Sequence, residues 1–133
     1  MGNSKLVDNG SKIKVAECKK KCIENIVSMA HKCRQIDAIV LFGSALEDRC
    51  TTDSDIDIAI ISKYGISKLS VLKSFRMFIQ DLYRADEMQE YDRLYFRSID
   101  EIASKIKEAP ICNEILNKGE IIYKKKKLHV SSI

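Results

Sequence analysis

Residues 55–62 read DIDIAIIS, and this alternation of acid and isoleucine limits the possible folds more than any other stretch of the chain. Four isoleucines and one alanine in so short a run favour an extended, packed strand, because β-branched side chains suit a pleated surface. Successive side chains of a strand point to opposite faces, so Asp55 and Asp57 project from the same one. Two carboxylates on one face repel each other and resist burial unless something positive sits between them. A hard divalent cation resolves that conflict, and oxygen-only ligands suit magnesium, which keeps positions open for substrate phosphates. Taken alone, the pair equally suits a strand end whose acids face water.

A second buried strand is predicted over residues 36–42 (IDAIVLF), closed by Gly43 and followed by Ser44. Glycine at a strand end lets backbone approach a phosphate closely, while a hydroxyl and free N–H groups face the anion. By itself Gly-Ser also reads as a plain turn with Ser44 as the cap of a helix. Together the two elements say more. A phosphate cradle ending one strand and an acidic pair opening the next would meet at one place, the arrangement of two-metal phosphoryl or nucleotidyl transfer.

The other elements follow from periodicity. Residues 11–33 predict a helix with the stripe Val15, Cys18, Cys22, Ile26, Met29, Cys33. Residues 67–84 predict an amphipathic helix carrying Leu69, Leu72, Phe75, Ile79 and Leu82 on one face. A third strand is expected over 91–96 (YDRLYF), and Ser98 with Glu101 forms a capping box opening a helix with Ile99, Ile102 and Ile106. Pro110 suits the first position of a further helix that Gly119 closes, and residues 120–124 read as a last short extended piece. The fold class is α/β in the broad sense (α+β): a small mixed sheet flanked by helices. Residues 1–12 read as a flexible leader, 13–124 as the domain and 125–133 as a basic, polar tail.

With 133 residues there is room for one core, and 45% apolar with 32% charged residues is ordinary for a globular domain. No apolar run approaches the roughly 20 residues needed to cross a bilayer, and the polar start has no export signal, although Gly2 loosely fits a myristoylation pattern. The net charge of +4 is concentrated in the lysine run 124–127, which lacks interleaved aromatics. It reads as a solvated tail, and no nucleic-acid partner is expected. Five cysteines without a CxxC pair lie largely on the helical stripe, so they are expected to pack as small hydrophobes in a reducing cytoplasm.

Gly43-Ser44, ten residues, then Asp55-x-Asp57 between apolar strands resembles the signature of the polymerase-β-like nucleotidyltransferase superfamily. The likeness is greatest to minimal nucleotidyltransferases, the MNT-type antitoxin domains, and extends from about Val15 to Tyr123, within the closing run ILNKGEIIYK. It implies the nucleotidyltransferase fold, ATP as donor and two magnesium ions. Asp55 and Asp57 would bind metal and nucleotide, and Gly43 and Ser44 would hold the β- and γ-phosphates. A third carboxylate, on a later strand, would bind metal and activate the acceptor. Asp92 matches it best by position, with Asp86, Glu87 and Glu90 as nearby competitors. Leu46, Asp48 and Arg93 depart from the commoner pattern, and Asp48 brings negative charge near the expected triphosphate. The resemblance further implies a HEPN-type toxin as protein partner, receiving AMP on a tyrosine. Transfer to a small hydroxylated molecule such as an aminoglycoside, or a non-catalytic binding module of the same fold, are the alternatives. A homo-oligomer is compatible with all of these.

Overall fold

The computed structural model describes residues 3–9, 13–85, 91–96 and 98–125; at 83–85, 91–96 and 99 it describes the backbone alone. Its first elements are two short antiparallel strands, β1 (Leu6–Asp8) and β2 (Lys14–Ala16), with Val7 opposite Val15. The expected leader therefore contains a strand. The expected helix over 11–33 becomes β2, a 3-10 turn at Glu17–Lys19, and α1 (Lys20–Ala30). The three-and-four spacing of the stripe is matched by a strand plus a turn, because β-branched Ile13 and Val15 favour pairing with β1 over a further helical turn. Val15, Ile26 and Cys33 are buried all the same, Cys33 lying beyond α1 and held by its N–H to the Ala30 carbonyl at 3.0 Å. Gly2 lies outside the described residues.

All five cysteines are free thiols. Burial pushes the Cys50 thiol up, and the adjoining Cys18 thiol, Sγ to Sγ 3.9 Å, adds to the shift, so Cys50 stays protonated at neutral pH. Among the described residues no group of three His, Cys, Asp or Glu side chains is placed to hold a metal. Intact-mass analysis after denaturation without reductant should show five free thiols, and metal analysis of the native protein should find no stoichiometric zinc; a native disulfide or stoichiometric zinc would contradict the packing role.

The main sheet has four strands in the order β5-β4-β3-β6, with β3 (Ala38–Phe42), β4 (Ile56–Ile61), β5 (Tyr91–Phe96) and β6 (Glu120–Lys124). β3 runs antiparallel to β4 and β6, and β5 runs parallel to β4, so the sheet is mixed as expected. Between β4 and β5 lie α2 (Ile66–Leu69) and α3 (Lys73–Ala85). Here one helix was expected. The chain breaks at 70–72, where Arg76 Nη1 donates to the Val71 carbonyl at 2.8 Å and Val71 itself is 68% exposed. The break re-phases the buried face to Phe75, Phe78 and Leu82, leaving Leu72 and Ile79 only partly covered. After β5 come α4 (Ile99–Ser104) and α5 (Pro110–Lys118). Ser98 Oγ accepts from the Glu101 N–H at 3.2 Å, the anticipated cap, and Pro110 begins α5.

Helices cover both faces of the sheet. Ile39, Leu41, Ile56, Ile58 and Ile60 pack with α1 and α3, while Ala38, Val40, Phe42, Ala59 and Ile61 pack with Ile102 of α4 and Cys112 and Ile115 of α5. β3 is buried on both sides, which is why its sequence is uninterruptedly apolar. Each fully buried isoleucine contributes about 1.5–3 kcal/mol relative to exposure. A one-residue slip of β4 would withdraw three of them and turn Asp57 into the α1–α3 core, so the register that places Asp57 is strongly fixed. At the far end Lys125, the first residue of the expected tail, is hydrogen-bonded to the domain. The Lys125 N–H donates to the Asp37 carbonyl and its Nζ to the Arg34 carbonyl, both at 2.8 Å. Lys126 and Lys127 lie outside the described residues, and no described helix is long and apolar enough to cross a membrane.

Candidate active site

The strand directions decide where the chemistry gathers. The C-terminal end of β3 and the N-terminal ends of β4 and β5 lie at the same end of the sheet, with Phe42 and Asp92 both registered on Asp57. Gly43 follows Phe42 directly and adopts a φ of +78°, a left-handed conformation that costs an L side chain but not glycine. A Cβ built at Gly43 would stand 2.3 Å from Asp57 Oδ2. The backbone after β3 therefore lies directly on the Asp57 carboxylate, and no other residue fits there without moving it.

Ser44 belongs to a 3-10 turn, Gly43–Leu46, whose first residue is Gly43 and whose cap, Phe42, offers no side-chain hydrogen bond. Ser44 is thus inside the turn and does not cap a helix. Its side chain is half exposed and its carbonyl accepts from the Glu47 N–H at 2.9 Å. Asp55 stands one residue before β4 and is exposed, and Asp57 is half-buried. Both share the parity of Ala59 and Ile61, so they stand on the face covered further along by α4 and α5. Two carboxylates at a solvent-reaching strand end, one of them lying against the Gly43 backbone, are hard-oxygen donors of the kind that a divalent cation with phosphate ligands takes. Those residues fit magnesium.

Asp92 enters through its backbone position in β5, the registered neighbour of Asp57. Its competitors Asp86, Glu87 and Glu90 lie outside the described residues. Asp48 is exposed in the turn after the Gly-Ser element, where Arg49 pairs with Glu47. One residue of this region escaped the sequence reading. Lys19 is fully buried, and its Nζ donates to the Thr52 carbonyl at 3.0 Å, within the segment joining Ser44 to Asp55. In the run Lys19-Lys20-Lys21 it looks like part of a solvated face. The signal was its spacing, four residues after Val15 and four before Ile23, both buried.

This arrangement is that of a nucleotidyl-transferring domain, and comparison with known proteins agrees. The model of the family described as polymerase beta, nucleotidyltransferase matches residues 24–128, and the chain belongs to that family. Among solved structures it resembles the tri-AMPylated Shewanella oneidensis HEPN toxin in complex with MNT antitoxin: identity is 17% and TM-score 0.50, over 80% of this chain and 73% of that one. It also resembles a toxin–antitoxin structure with AMP-PNP, at 18% identity and TM-score 0.52, over 78% and 74% of the two chains. A third likeness is to the toxin–antitoxin MntA–HpeT in a variant with two aspartates replaced by glutamate, at 16% identity and TM-score 0.52, over 78% and 74%. At such identities the likeness concerns the fold. No curated protein was found to match.

Proposed function

We propose that the chain moves AMP from ATP onto a tyrosine hydroxyl of a HEPN-type toxin partner and so acts as its antitoxin. The observation that carries this reading is the seating of Gly43 on Asp57, 2.3 Å from the added Cβ position to Oδ2, in a chain of the nucleotidyltransferase family. A module that only bound a partner would have no physical need for a glycine laid on an acid. Support for the acceptor comes from the solved likenesses, one of which is a tri-AMPylated HEPN toxin with its MNT antitoxin and another a toxin–antitoxin pair with AMP-PNP.

Asp55 and Asp57 would hold magnesium, joined by Asp92 from the neighbouring strand. When bound there, the metal supplies charge neutralisation for the triphosphate and for departing pyrophosphate. Gly43 and Ser44 receive the β- and γ-phosphates, their backbone and hydroxyl facing the anion. Asp92 takes the proton of the acceptor hydroxyl as its oxygen attacks the α-phosphorus. The new oxygen–phosphorus bond forms, the bond from the α-phosphorus to the oxygen that bridges it to the β-phosphorus breaks, and that oxygen leaves in line as part of pyrophosphate. Most of the acceleration comes from holding these groups in place and from fixed charge.

Supplied with ATP, magnesium and a HEPN-type partner chain, the protein should add AMP to the partner and release pyrophosphate, seen as a mass adduct. Asp92→Ala should lose transfer far more than it loses ATP affinity measured by calorimetry. An unmodified partner together with no magnesium-dependent ATP binding would mean that the site is vestigial. Full activity in Asp92→Ala would leave the transfer standing and move the third carboxylate to another acid.

A further inference from the structure

Lys19 has 0% of its surface exposed, and it makes no ion pair among the described residues. Burying an amine beside a single neutral acceptor is costly, and a methionine of similar length would fill the same space without that cost. What the lysine provides is its hydrogen bond to the Thr52 carbonyl, 3.0 Å away. Two other contacts fall on the same short segment from the same part of the chain. The Ser4 N–H donates to the Cys50 carbonyl at 2.8 Å, and Cys18 Sγ touches Cys50 Sγ at 3.9 Å. The segment is further tightened from within, where the Thr51 N–H donates to Ser54 Oγ and the Ser54 N–H to the Thr51 carbonyl, both at 3.0 Å. Residues 50–54 are thus a hydrogen-bonded turn, gripped from 4, 18 and 19, whose next residue is Asp55. All three gripping residues precede residue 24, where the family match begins.

We propose that Lys19 is a positioning residue of the transfer site. By holding Thr52 it fixes the turn that sets Asp55 against Gly43, Ser44 and Asp57, and it places a cation under the segment linking the phosphate cradle to the acids. The inference rests on the reading of residues 43–57 as the site of nucleotidyl transfer. Lys19 touches neither nucleotide nor metal in this role; it acts through the loop.

The test uses the full chain with magnesium and AMP-PNP as probes, in calorimetry alongside thermal melting. Lys19→Met should remain folded yet need about tenfold more magnesium to half-saturate AMP-PNP binding, the expected weight of a lost charged hydrogen bond. Lys19→Arg, which keeps a cationic donor, should stay within about threefold of the parent. A folded Lys19→Met that binds like the parent overturns the proposal and leaves the reading of the site untouched. A parent that does not bind magnesium and AMP-PNP overturns the site reading and this inference with it. Hydrogen exchange in the parent decides the matter even if Lys19→Met does not fold. Magnesium with AMP-PNP should slow exchange in residues 47–55 and in 17–20 together, whereas slowing in 47–55 alone overturns the coupling.

Discussion

Asp57→Asn, and separately Asp55→Asn, should reduce nucleotidyl transfer by about 10³-fold or more, ~4 kcal/mol of barrier, while the fold survives. Two like charges stand on one strand face at the rim of the sheet, so neutralising either removes repulsion in the metal-free protein. The melting temperature without magnesium should therefore stay level or rise slightly, and the added stabilisation by magnesium with ATP should vanish. Transfer assays and melts with and without magnesium measure both effects. Normal turnover in either variant, or collapse of both, would remove the metal assignment.

Gly43→Ala should be nearly as damaging to activity and only moderately damaging to the fold. The left-handed φ of +78° costs an alanine about 1–2 kcal/mol. The steric conflict is of a different kind, because the atom met at 2.3 Å is the tip of the Asp57 carboxylate and not backbone. That tip can rotate aside, which spares the strand but removes the carboxylate from the place where the cradle needs it. Transfer should fall about 10²-fold, with most of the loss in magnesium-dependent nucleotide binding. Gly65→Ala is the matching control, since a Cβ there meets nothing within 4 Å and should leave transfer unchanged. Full activity in Gly43→Ala would show that the orientation of Asp57 is not needed.

The meeting of the two elements of the candidate site was legible because they are local. Gly43-Ser44 ends one strand and Asp55-x-Asp57 opens the next, and the antiparallel hairpin that unites them requires only that both strands pack. The cap at Ser98 was legible for the same reason, and the mixed sheet followed from the alternation of apolar strands with helical segments along the chain. The errors arose where distant partners compete with local period. Val15 sits at a helical spacing from Cys18 and Cys22, yet pairing with Val7 makes it part of a strand. Leu72 continues a helical stripe, yet the chain breaks there and Phe78 takes the buried position that the unbroken period gave to Ile79. Lys19 was hidden because residue type argued for solvent while its spacing argued for the core.

The mixed sheet has a consequence for how the protein comes into being. Asp57 lies between Phe42 on one side and Asp92 on the other, and the parallel pairing of β4 with β5 demands a long crossover through α2 and α3. A growing polypeptide that has emerged only as far as β4 can form the hairpin and the glycine contact, but it has no third strand beside the acids. Such pairing across a long sequence separation forms late, because the intervening loop must close before any contact compensates. With Asp92 as the proposed third carboxylate, the hairpin alone is an incomplete centre, and the proposed site is assembled only when the crossover has closed, as one of the last acts of folding.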